Sequence, residues 1–230
     1  MGETAPAALG RPRLHLRRTG STNERARELA LRGAPHGTLV TAREQASGRG
    51  RQGRTWIGPP GRALLCSLVV REPPRLLPLA VGVAVAEVAG REARLKWPND
   101  VLLGGGKVAG ILIEGRPQEA WAVAGIGINV AVREGDLPAE LWAQAASLGL
   151  TEDDLDSVLA RLLTSLERWL PASEEEVMGE ARARDALRGR EIRWAEGEGR
   201  AEGLDDDGRL IVVTAAGTTS LDAGEVHLLR

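Results

Sequence analysis

Three arginines and three glycines share the seven residues 48–54, Gly-Arg-Gly-Arg-Gln-Gly-Arg, inside the stretch EQASGRGRQGRTW. Glycine lets backbone approach a ligand closely, and each guanidinium offers a planar fork of donors to a carboxylate or phosphate. Such a stretch can capture an anion by closing over it. Two other readings share the same letters. Gly48, Gly50 and Gly53 satisfy the G-x-G-x-x-G spacing of a dinucleotide fingerprint, but that motif must open a helix. Here Gly58-Pro59-Pro60-Gly61 follows at once and forbids one. The third reading is a disordered Arg/Gly segment for RNA, against which stand the strand signals on both sides. Neighbouring cations repel, which predicts a loop that is mobile when empty and orders over its anion.

Lysine occurs at only two positions, Lys96 and Lys107, so 28 of the 30 basic residues are arginine. Either compositional bias left two chance survivors, or these places need a compact ammonium in place of a planar fork. Lys107 stands between a triple glycine and the small pair Ala109 and Gly110, which leaves ligand room against the backbone. An ammonium there can neutralise charge developing on a phosphate. The plain alternative is an edge-strand lysine that blunts aggregation. Lys96 opens KWPND, where Pro98 restricts Trp97 so that Asn99 and Asp100 project from a turn. Asn-Asp after proline can be a turn and nothing more. With Lys96 just upstream, Asp100 is also placed to bind a divalent cation or to anchor Lys96 or an arginine. In GIGINV, residues 125–130, glycine alternates with isoleucine, so one strand face is bare and admits a flat ligand or a packed helix.

The elements that must hold these groups follow from periodicity and punctuation. LHLRR alternates like a short strand, and STNERARELALRG reads as a helix with Ser21 and Glu24 as a capping box and Gly33 as its stop. GTLVTARE is a strand entering the Arg/Gly loop, and residues 63–70 are a buried strand leaving it. RLLPLAVGVAVAEVAGR is a helix apolar nearly all round, which places it inside the core. ARLKW, KVAGILIEG and AWAVAGIGINV are three further strands, the last of them free in this reading to pair with its equivalent across a two-fold axis. Beyond residue 130, PAELWAQAASL, TEDDLDSVLARLLTSLERWL and residues 174–187 read as helical. From Arg190 short strands with tight turns predict a small SH3-like barrel. The fold class is α+β, with a main domain over residues 1–187 and a β-domain over 188–230. Residues 1–12, rich in Pro, Ala and Gly, read as frayed.

Composition narrows the chemistry further. A net charge of -2 in 230 residues disfavours generic affinity for nucleic acid, so any anion site must be local. One cysteine, Cys66, excludes a disulfide framework and a thiolate cluster and suits a reducing cytoplasm. No apolar run reaches membrane-spanning length. His15, His36 and His227 lack ligand spacing, so no permanent metal site is expected, and the absence of tyrosine rules out phenolic acid–base catalysis. Ser67 lies in an apolar run with no nucleophile-elbow context, and Cys66 beside it reads as core.

In order along nearly the whole chain, STN, EQASGRGRQGRTW, PPGRALLCSLVVR, KWPNDV, KVAGILIE, GIGINV, ASL and GEVHLL resemble the motifs of the biotin protein ligase family. The resemblance implies that residues 1–187 are the catalytic domain, a central mixed sheet flanked by helices like the catalytic domain of class II synthetases, followed by an SH3-like barrel. It implies two chemical steps. The biotin carboxylate attacks the α-phosphate of ATP, with Mg2+, to give biotinyl-5'-AMP and pyrophosphate; a lysine of a biotin carboxyl carrier protein then displaces AMP. Implied partners are the carrier protein of acetyl-CoA carboxylase and a second copy of the chain, in the cytoplasm, without DNA or membrane.

Carried onto this chain, the resemblance puts Ser21, Thr22, Asn23 and Gln45 around the biotin head group. Gly48, Arg49, Gly50 and Arg51 order over biotin and adenylate, and Lys107, with Gly110 beside it, meets the carboxylate and α-phosphate. Trp56, Lys96, Asn99 and Asp100 fall on the nucleotide and catalytic side, with Lys107, Arg51, Asp100 and Lys96 as the catalytic set. Gln52 departs from the arginine usual there, and Arg62 and Leu65 depart near the start of a strand. The short segment before STN is too small for the winged helix-turn-helix of bifunctional members, which implies a ligase without repressor activity. A lipoate ligase and a non-catalytic ligand- or RNA-binding domain are the alternatives; GRGRxGR with KWPND counts against the first, and the two retained lysines against the second.

Overall fold

The computed structural model describes residues 9–229; most of the segment read as frayed, residues 1–8, lies outside them. Seven strands make the central sheet: β1 (Arg13–Leu16), β2 (Leu39–Ala42), β3 (Ala63–Arg71), β4 (Arg94–Lys96), β5 (Asp100–Leu103), β6 (Gly106–Arg116) and β7 (Trp121–Asn129). Their order is β1-β2-β3-β7-β6-β5-β4, with β1 and β2 parallel and the other pairs antiparallel. The sheet is therefore mixed, as the resemblance implies. Five helices accompany it: α1 (Thr22–Leu31), α2 (Leu77–Ala89), α3 (Ala139–Trp142), α4 (Leu155–Trp169) and α5 (Glu174–Ala183).

Strand residues alternate between two faces, and the apolar clusters separate accordingly. Leu68, Val70, Ala122 and Ala124 join the large core formed with α2, α4 and α5, whereas Val40, Val69 and Val123 meet Ala26 and Ala30 of α1. Helix α2 is buried along most of its length between the sheet and α4 and α5, which is why it is apolar all round. Helix α4 keeps one stripe inside, Val158, Leu159, Leu162, Leu166 and Trp169, and leaves its charged side in solvent.

The C-terminal strands β8 (Glu191–Trp194), β9 (Gly197–Leu204), β10 (Leu210–Thr214), β11 (Gly217–Leu221) and β12 (His227–Leu228) form an antiparallel sheet ordered β11-β10-β9-β8-β12. This is the SH3-like unit expected from the sequence. Ile192, Ala201, Leu210, Val212 and Val226 belong to the same hydrophobic cluster as α2, and Trp97 Nε1 donates to the Gly208 carbonyl at 3.1 Å. Apolar burial thus presses the small sheet onto the large one.

Tertiary pairing overrides several local expectations. Ser21 is the N-cap of α1 but makes no side-chain cap bond; Thr22 gives its N–H to Gln45 Oε1 at 2.7 Å, so a distant amide does the capping. In PAELWAQAASL only α3 is helical. Lys107 N–H donates to the Gln144 carbonyl at 2.8 Å and Ala146 N–H to the Lys107 carbonyl at 2.9 Å, so strand-like pairing takes the rest. Helix α5 stops at Ala183 because residues beyond it pair with Leu95 of β4. Asp100 is the first residue of β5 rather than part of a free turn. Strand β7 is bonded by β3 on one side and β6 on the other, so its edges are not open to a second copy. No helix among the described residues is long and apolar enough to cross a membrane.

Candidate active site

Register brings the sequence motifs together. Lys96 is paired with Asp100, Asp100 with Gly110, Gly110 with Gly127 and Gly127 with Leu65, so these five residues form one cross-strand row over β4, β5, β6, β7 and β3. Residues directly opposite in an antiparallel pair share a face. The face is that of α1, because Val123, four residues from Gly127, packs there. The row floors a cleft roofed by the Arg/Gly loop and reached at one side by Gly224, Glu225 and Val226 of the C-terminal unit.

One end of the cleft is neutral and polar. Ser21, Thr22 and Asn23, all buried, open α1 and hang over Gly125, where any side chain would collide with Asn23. Thr22 Oγ1 lies 3.0 Å from Gln45 Oε1, and Ser67 Oγ lies 2.8 Å from Thr22 Oγ1 and 2.6 Å from Asn23 Oδ1. A hydroxyl has one proton, and Asn23 Oδ1 only accepts, so Ser67 best donates there. Asn23 Nδ2 donates to the Leu112 carbonyl at 3.2 Å and to Glu114 Oε2 at 2.9 Å. Thr22, Asn23, Gln45 and Ser67 are thus each held by another side chain.

The other end is charged. Lys107 Nζ sits 2.6 Å from Asp100 Oδ1 and 5.5 Å from the centre of the Trp56 ring. Asp100 therefore anchors Lys107, while Lys96, its cross-strand partner, lines the cleft beside it. Asn99 is fixed by donating from Nδ2 to the Ile111 carbonyl at 3.1 Å. The Trp56 indole lies on the paired glycines: a Cβ at Gly127 would come within 2.5 Å of its ring and one at Gly110 within 2.8 Å. Its Nε1–H is buried with no hydrogen-bond partner among the described residues. The bare face of GIGINV thus receives Asn23 and an indole.

The loop folds as a narrow hairpin. Arg49 bridges Thr55, Gly50 N–H donates to the Arg54 carbonyl at 2.8 Å, and Trp56 N–H donates to the Gly48 carbonyl at 2.9 Å. Gly48 does not line the cleft; a side chain on it would strike the Trp56 carbonyl. Gln52 occupies the tip at φ 52°, in the left-handed region. The three arginines do not face one another unanswered. Arg49 pairs with Glu114 at 3.2 Å, and Arg54 forks onto both oxygens of Glu225. Arg51 has no carboxylate within ion-pairing distance among the described residues. Burial pushes its pKa down, against the pull of Asp100 and Glu225.

All the residues assigned to the ligand site from the sequence, apart from Gly48, line this one cleft, whereas Arg62 turns away to pair with Asp136 and Glu152. Three contributors were not singled out. Ser67 is no nucleophile but part of the wall, and its signal in the sequence is that a serine fully buried in an apolar strand needs partners. Glu114 ends KVAGILIE and Glu225 stands second in GEVHLL, and no spacing marks either as the mate of a loop arginine.

The cleft has a neutral polar end, a charged end and an arginine-bearing loop over it, and the class of protein it belongs to is explicit in the comparisons. Residues 15–130 match the Biotin/lipoate A/B protein ligase family, and residues 188–229 match the Biotin protein ligase C terminal domain. The biotin--[acetyl-CoA-carboxylase] ligase of Paracoccus denitrificans is 37% identical over 92% of this chain and 98% of that protein. The enzyme of the same name from Mycobacterium tuberculosis is 34% identical over 92% of this chain and 87% of its own length. Among solved structures, biotin protein ligase from Aquifex aeolicus in complex with biotin and ATP superposes with a TM-score of 0.79 at 31% identity, covering 96% of this chain and 99% of that one. The chain belongs to the biotin protein ligase family.

Proposed function

We propose that this protein is a biotin--[biotin carboxyl-carrier protein] ligase that forms biotinyl-5'-AMP from biotin and ATP and passes the biotinyl group to a lysine of the carrier protein of acetyl-CoA carboxylase. The observation that carries the reading is the position of Lys107, an ammonium held by Asp100 on the bare glycine row between the polar pocket and the arginine lid. A cyclic urea has a carbonyl acceptor and two N–H donors, which a wall of Ser21, Thr22, Asn23 and Gln45 can answer. The dithiolane of lipoate offers no such groups, so the same wall disfavours it.

In the first step a carboxylate oxygen attacks the α-phosphorus, the bond to the bridging oxygen breaks, and pyrophosphate leaves. Both reactants are anions, and Lys107 with Arg51 offsets their repulsion and the charge gathering on the phosphorus oxygens. Trp56, with its free indole N–H, and Lys96, Asn99 and Asp100 flank the nucleotide. Magnesium bound to ATP would supply further neutralisation of phosphate charge. In the second step the acceptor amine attacks the acyl carbon, the bond to AMP breaks, and the amine loses its proton to solvent. Ordering of residues 48–54 over the adenylate keeps water from the anhydride between the steps.

A homodimer and a cytoplasmic location belong to the same proposal; with β7 interior, the two-fold contact uses other surface. Incubation with biotin, ATP and an isolated carrier domain should add the mass of one biotinyl group at a single carrier lysine. An unmodified carrier would contradict the reading.

A further inference from the structure

We propose that Glu114 is a positioning residue that ties the polar pocket to the Arg/Gly loop, so that filling the pocket seats the loop. The inference rests on the ligase reading for the identity of the ligand, biotin, but its geometry is independent of it.

Glu114 lies on β6 opposite Val123, on the α1 face, and does not line the cleft. Its two oxygens serve different masters. Oε2 accepts from Asn23 Nδ2 at 2.9 Å, and Oε1 pairs with Arg49 at 3.2 Å. Asn23 has no freedom to release it, because Nδ2 also donates to the Leu112 carbonyl, Oδ1 meets Ser67, and Gly125 lies directly beneath. The contacts therefore run without a break from Gln45 through Thr22, Ser67, Asn23 and Glu114 to Arg49. Both ends of that chain sit on the same segment, one before the loop and one within it. A head group that hydrogen-bonds to Thr22 or Asn23 stiffens both anchors of the loop at once. Arg49 is half exposed and has no other carboxylate partner among the described residues, so without Glu114 its anchor is lost.

The full chain tests this with two substitutions. Glu114→Gln keeps an acceptor for Asn23 and removes the charge facing Arg49; Glu114→Ala removes both. In biotin-dependent pyrophosphate exchange at saturating ATP, Glu114→Gln should raise the KM for biotin about five-fold, the scale of a partly exposed ion pair, with kcat within about two-fold. Glu114→Ala should raise it further. In an Arg49→Gln background, Glu114→Gln should add little, because a residue acting only through Arg49 has nothing left to act on. Trypsin gives a readout without catalysis: cleavage after Arg49, Arg51 and Arg54, mapped by mass spectrometry, should be faster in Glu114→Gln than in the parent even with no ligand. An unchanged KM, a loss confined to kcat, full additivity with Arg49→Gln, or equal cleavage of the loop would each overturn the inference. Absence of exchange in the parent would instead overturn the ligase reading and leave the proteolysis result to decide the role of Glu114.

Discussion

Lys107 Nζ lies 2.6 Å from Asp100 Oδ1, and Asp100 is also the cross-strand partner of Lys96, so one carboxylate stands beside both lysines of the chain. The pair holds the ammonium over the glycine row without a rigid fork. Replacing Lys107 by alanine should lower the first-step rate by about 100-fold or more, the usual effect of removing one group that stabilises transition-state charge. The same change leaves the half-buried Asp100 carboxylate unpaired, at a cost of about 1–3 kcal/mol. The double variant Lys107→Ala/Asp100→Asn should recover most of the melting temperature and none of the activity, as pyrophosphate exchange and thermal unfolding would show. A near-normal rate in Lys107→Ala would remove this lysine from the mechanism.

Gly127 carries Trp56 at contact distance. Gly127→Ala should push the indole off the row and raise the KM for ATP about ten-fold or more, while Gly179→Ala, on the exposed side of α5 with ordinary helical backbone and open space around it, should leave KM alone. Steady-state exchange with each variant checks this, and equal KM values would mean that the indole position does not matter.

Arg51 is the loop arginine without a carboxylate partner among the described residues, so it is the one available to an incoming anion. Arg51→Gly should release the adenylate to react with free amines outside the cleft. Because Lys96 and Lys107 are the only lysines and both line the cleft, added bystander protein should be labelled far more heavily than the chain itself. Mass spectrometry of a mixture with a lysine-rich bystander measures the ratio; equal labelling, or none, would count against the loop role.

Asp185 offers a prediction about pH. Burial is the largest influence on it and raises its pKa above the ordinary carboxylate value, against backbone hydrogen bonds from Leu187 and Arg188, and its Oδ2 is buried with no hydrogen-bond partner among the described residues. A raised folded-state pKa means that the folded chain holds this proton more tightly than the unfolded chain. Stability from Asp185 is therefore full below the unfolded value of about 3.9 and is lost as pH rises through the raised value. Asp185→Asn should raise the melting temperature at pH 7, and the gain should shrink toward pH 4. A constant difference across that range would show that Asp185 does not titrate as described.

The motifs were legible as local patterns, and their convergence was not. Nothing in the letters KWPND, KVAG and GIGIN says that Asp100, Gly110 and Gly127 stand side by side; that follows from strand order and register, which depend on long-range pairing. The buried helix α2 and the stripe of α4 could be read because their periodicity answers directly to burial. The capping box at Ser21 and the long helix in PAELWAQAASL failed where Gln45 and Lys107 offered distant partners to the same backbone groups. Glu114 and Glu225 stayed silent for a related reason: a carboxylate's role is set by which arginine folds onto it. Of the three loop arginines, the fold answers two with those carboxylates, Arg49 with Glu114 and Arg54 with Glu225.

Every role assigned to the cleft depends on adenylation of biotin, and exchange of radiolabelled pyrophosphate into ATP reads that step alone. The purified chain with ATP and magnesium should exchange label when biotin is added and remain at background when lipoate replaces it. Exchange with lipoate, or none with biotin, would contradict the account.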